Sequence, residues 1–69
     1  MLKNLKNALI AKKISVVALA ALIGVTEKTA NNKLNGETEF TLSEALKIRN
    51  ELFPEYDLYY LFKRDTLVA

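Results

Sequence analysis

Residues 15–36 read SVVALAALIGVTEKTANNKLNG, and residue chemistry alone places two helices in them. Ser15 is a good N-cap, because its hydroxyl can accept one of the orphan backbone N–H groups of a first turn. The helix it opens covers Val16 to Ile23 and turns Leu19, Ala20 and Ile23 toward a core. Gly24 ends it, since glycine enters the left-handed conformation at little cost. Val25 then points inward, and Thr26 caps a second helix that runs to about Asn35, where Gly36 stops it. Ala30 and Leu34 form the apolar stripe of this second helix, extended by Val25. Everything else on it is polar: Glu27, Lys28, Thr29, Asn31, Asn32, Lys33 and Asn35. Asparagine is a mediocre helix former, so three of them on one short helix imply a face with a use other than helix stability.

The flanks of this stretch are helical as well. Leu2 to Lys13 reads as a helix, with Leu2, Leu5, Ala8 and Leu9 at helical spacing and Lys12 and Lys13 in its last turn. Glu37 to Phe40 make a loop. Thr41 followed by Glu44 is a capping box, opening a helix that turns Leu42, Ala45, Leu46, Ile48 and Leu52 inward until Pro54 ends it. A short last helix, starting at Pro54 or capped by Asp57, turns Leu58, Leu61 and Phe62 inward. The chain is thus expected to be all-α, one compact five-helix domain over residues 1–62 followed by a flexible tail at 63–69.

Composition narrows the function. With 69 residues there is room for one domain, and with 51% hydrophobic residues it should fold. The absence of cysteine and histidine removes disulfides, thiolate and imidazole metal ligands, and the commonest general base. The two serines, Ser15 and Ser43, have no histidine to activate them, so neither an enzyme, a metal nor a cofactor is expected. The net charge of +2 hides an asymmetry. Residues 1–35 carry six lysines against Glu27 alone, whereas residues 36–69 carry four basic side chains against seven acidic ones. A basic half joined to an acidic half points the first toward a polyanion. Lysines precede the apolar run Ile14 to Val25 as in a signal peptide, but the run falls short of the about 20 residues a bilayer requires, so a cytoplasmic chain is expected.

Within residues 15–36, Ala20 is small where two helices must cross closely, Gly24 permits a tight turn, and Val25 fills the gap between the helices. These are the requirements of a helix-turn-helix, whose second helix lies in the major groove of DNA. The alternative is a plain helical hairpin inside a bundle. The sequence further resembles the phage repressor and Cro family, also called the xenobiotic-response-element family, over Leu5 to about Phe62. The strongest matches are Ser15, Leu19, Ala20, the run IGVT at 23–26, Thr29 and Asn35–Gly36, with Leu42, Ile48, Leu52, Leu58 and Leu61 further on.

That resemblance implies a lambda-repressor-like domain binding palindromic operator DNA as a two-fold dimer. It implies base contacts from Glu27, Lys28 and Asn32 with Asn31 nearby, phosphates close to Thr26, Thr29 and Asn35, and Lys33 on the same helix. Lysine suits guanine O6 and N7, asparagine suits adenine, and a carboxylate accepts from cytosine N4. Val16 stands where the family often carries glutamine, Ala30 where it carries a branched apolar residue, and Lys33 where it is often apolar. Tyr56, Tyr59 and Tyr60 are the candidate surface of a weak homodimer through the last helix. The expected function is a Cro-like or repressor-like transcriptional regulator of a phage or integrated element, acting by operator occupancy. The alternative keeps the fold but gives it a protein partner: a module that binds a partner repressor or acts as an antitoxin-like inhibitor, with Val16 and Glu27 as its support.

Overall fold

The structure, a computed structural model, describes residues 2–63, so most of the expected tail, residues 64–69, lies outside the described residues. Five helices follow one another: α1 (Lys3–Ala11), α2 (Val16–Ile23), α3 (Glu27–Asn35), α4 (Leu42–Leu52) and α5 (Leu58–Phe62), with no strand among the described residues. The capping chemistry is as the residue types dictate. The hydroxyls of Ser15, Thr26 and Thr41 and the carboxylate of Asp57 each accept a first-turn N–H, and Thr41 with Glu44 closes a full capping box. Gly24 and Gly36 sit at φ +74° and +86°, the left-handed conformation that ends α2 and α3.

The core draws one fully buried side chain from every helix: Leu5, Leu19, Leu34, Ile48 and Leu61. A sixth, Phe53, is fully buried from the turn after α4 and was not among the expected core residues. Lys12 roofs it. The Lys12 ammonium donates to the Leu52 carbonyl at 2.9 Å, pairs with Glu55 at 2.6 Å, and lies 5.3 Å from the centre of the Phe53 ring. The end of α1 is thereby docked on the turn between α4 and α5.

Three expectations need correction. The first helix stops at Ala11, and Lys13 turns left-handed at φ +57° rather than continuing it. The reversal is held by Lys13 N–H to the Ile10 carbonyl and Ile14 N–H to the Leu9 carbonyl, which satisfy carbonyls the helix end would orphan. Leu42 and Leu46 do not face the core; they are 70% and 40% exposed. The buried side of α4 is set by Ala45 and Ile48, and helical spacing rotates Leu42 and Leu46 to its edge. Tyr56, expected on an open surface, is half-buried, with its ring edge-on to Phe53 at 5.3 Å.

Candidate nucleic-acid interface

α3 packs against α2 and against α1, and this fixes which of its sides is free. Ala30 and Leu34 are buried in those contacts. Helical periodicity then places Lys28 and Asn32, four residues apart, on the opposite side as surface neighbours, flanked by Asn31 and Asn35. Thr26, Glu27, Lys28, Asn31 and Asn35 are exposed, while Thr29, Asn32 and Lys33 are partly so. The tight turn at Gly24 and Val25, closed by the Val25 N–H on the Ala20 carbonyl at 3.0 Å, ends α2 and starts α3 a few residues later, packed against it. A short helix thus projects from a fixed scaffold with a polar side able to enter a groove.

The candidate contact residues divide by what already holds them. The Thr26 hydroxyl accepts the Thr29 N–H at 3.1 Å and donates to the Thr29 hydroxyl at 3.0 Å, so these two build the start of α3. Around them the first N–H groups of α3 lack intrahelical partners, as in any helix start, and favour an anion. Glu27, Lys28, Asn31 and Asn32 make no side-chain hydrogen bond or ion pair among the described residues, which leaves their polar groups open to a ligand. Lys33 stands apart from them. Its ammonium pairs with Glu44 at 3.1 Å, donates to the Glu39 carbonyl at 3.0 Å, and lies over the Phe40 ring, with its side chain only 11% exposed. It ties the end of α3 to the start of α4. Lys6, on α1, has a partner that sequence spacing does not show: its ammonium reaches the Asn35 side-chain oxygen at 3.3 Å. No local pattern could have joined residues 29 positions apart.

The Lys33–Glu44 pair sets a pH dependence. Burial pushes the Glu44 carboxyl up, but the Thr41 backbone N–H, the Lys33 ammonium and the Thr41 hydroxyl together outweigh it and hold the group below its ordinary value. The Lys12 ammonium and a backbone N–H lower Glu55 likewise. Both carboxyls therefore bind protons more weakly folded than unfolded, and their contribution to stability is complete above the ordinary carboxylate range. It is lost as pH falls through the lowered values. Urea midpoints should drop between about pH 5 and about pH 3, and Glu44→Gln should start lower and drop less. An equal drop in Glu44→Gln and wild type would show that the pair does not carry the dependence.

Two short helices locked across a glycine turn, the second with an open polar side, are the helix-turn-helix of DNA-binding domains. The chain belongs to the Cro/C1-type helix-turn-helix DNA-binding domain family, whose model matches residues 4–52. No curated protein and no solved structure matches it. No helix among the described residues is long and apolar enough to cross a membrane.

Proposed function

We propose that the protein is a cytoplasmic, sequence-specific transcriptional regulator of a phage or integrated element, which occupies an operator through the outer side of α3. The observation that carries this is the set of unpartnered polar groups on α3, Glu27, Lys28, Asn31 and Asn32, on the second helix of the helix-turn-helix within the family match. In this reading Lys28 donates to guanine, Asn32 and Asn31 to adenine, and Glu27 accepts from cytosine. Thr26, Thr29 and Asn35 lie beside phosphates, and Lys33 sets the pose of α3 through Glu44. Selection of bound sites from a random DNA pool tests it: a reproducible palindrome is expected, and a pool without enrichment would reject sequence-specific binding.

Two copies would meet on such a palindrome through α5 and the edge of α4. Tyr59, 71% exposed, lines with Leu42 a groove of about 480 Å³, and Tyr60 and Leu46 are exposed at 46% and 40% on the same two helices. Tyr56 supports Tyr60 from below, with the two rings 6.0 Å apart. Sedimentation on the selected operator should give two chains per duplex for wild type and a weakened complex for Tyr59→Ala with Tyr60→Ala. One chain per palindromic site would remove the dimer.

A second reading, binding to a partner repressor or an antitoxin-like role, is favoured by one observation. α2 contains no polar residue, and Val17 on its outer side is 57% exposed. The random-pool selection separates the two readings, since a protein-binding module enriches no site.

A further inference from the structure

The six lysines of residues 1–35 do not stand alike. Lys12 is neutralised by Glu55 and Lys33 by Glu44. Lys28 and Lys6 form no ion pair among the described residues, and they lie at opposite ends of α3. Lys28 is in its first turn. Lys6 reaches its last residue, Asn35, from α1, where the Leu2 N–H also bonds the Leu34 carbonyl at 2.9 Å and Leu5 and Leu9 are buried. The ammonium is therefore carried on an anchored helix, beside the negative end of the α3 dipole.

We propose that Lys6 and Asn35 together form a clamp for one backbone phosphate, on the wall of the major groove across from Lys28. The seven helical steps from Lys28 to Asn35 span about 10 Å of helix axis, comparable with the groove's width of about 12 Å. A helix of this length lying in the groove brings its two ends toward the two sugar-phosphate walls. The Asn35 side-chain oxygen accepts from Lys6, which turns the amide N–H₂ group away from the lysine. The pair then offers mostly donors outward: the remaining ammonium hydrogens and two amide hydrogens, beside the one lone pair left on the amide oxygen. Adenine requires a donor and an acceptor side by side from asparagine, and Lys6 already engages the acceptor, so the donor-rich pair matches phosphate oxygens better. Asn35 is thus a positioning contact and carries no base preference, and the contact is completed by a helix outside the helix-turn-helix.

This inference rests on the DNA-binding reading above, and the test separates the two. The full chain is titrated with a short mixed-sequence duplex over a series of salt concentrations, with folding of every variant checked by circular dichroism. Lys6→Gln should weaken binding several-fold at low salt and reduce the slope of log affinity against log salt by about 0.9, one phosphate's worth of released counterions. Lys6→Arg should restore the slope. Asn35→Ala should weaken binding and leave the slope alone. Asn35→Asp should lower the slope at least as much as Lys6→Gln, because its carboxylate neutralises Lys6 in place. A wild-type slope in Lys6→Gln, together with a reduced one in Lys28→Gln, would overturn the clamp and leave DNA binding by α3 standing. Failure of the wild-type chain to bind the duplex at any salt would overturn both.

Discussion

Phe53→Ala should leave the chain unfolded at room temperature. Phe53 is fully buried at the junction of α4 and α5, and truncating a buried phenylalanine costs about 3–5 kcal/mol from lost burial and the cavity left behind. A single core in a chain this short supplies about 3–5 kcal/mol in all. The ring is also the platform for the Lys12 ammonium and the edge contact of Tyr56, so its loss undocks the end of α1 and frees a tyrosine. Tyr59→Ala, by contrast, removes an exposed ring and should shift the melting curve little. Circular dichroism against urea checks both. A cooperative transition in Phe53→Ala with a near wild-type midpoint would mean that the α4–α5 junction contributes far less than its burial indicates.

The second large effect falls on binding. Lys28→Ala and Asn32→Ala should each weaken the preferred site by about 1–3 kcal/mol, which is about 5- to 150-fold in affinity, and should relax its sequence preference. The two are surface neighbours on α3 with no competing partner among the described residues, so in the proposed reading removing either leaves a base edge unread without disturbing the fold. Lys47, exposed on α4 and in the acidic half, is the control, and Lys47→Ala should bind as wild type. Lys33→Ala should behave differently from Lys28→Ala. It strands Glu44 and releases the start of α4 from α3, so stability falls along with affinity. If Lys47→Ala cost more affinity than Lys28→Ala, a different side of the molecule would be the reading surface.

What the sequence carried, it carried through local chemistry. Ser15, Thr26, Thr41 and Asp57 each cap a helix within a few residues of themselves, and Gly24 and Gly36 each end one, so element order and most boundaries follow from neighbours in the chain. The end of α1 did not follow, because a lysine, Lys13, takes the left-handed position where glycine is the usual signal. Leu42 and Leu46 misled because periodicity gives a stripe without saying which of two adjacent sides the rest of the fold covers. Phe53 was invisible for the converse reason: it lies outside any helix and so has no period to reveal it. At the candidate interface, the open polar side of α3 was legible from its residues on a short capped helix. The division of labour among the lysines was not. It depends on contacts between distant parts of the chain, Lys12 with Glu55 and Lys6 with Asn35.

The most direct measurement is a titration of the ¹⁵N-labelled chain with duplex DNA at low salt, followed by amide chemical shifts. The largest movements should map to residues 26–35 and the start of α2, centred on Lys28, Asn31 and Asn32, while the amides of α4 around Lys47 stay in place. Shifts confined to α4 and α5, or none at all, would contradict a DNA-reading role for α3.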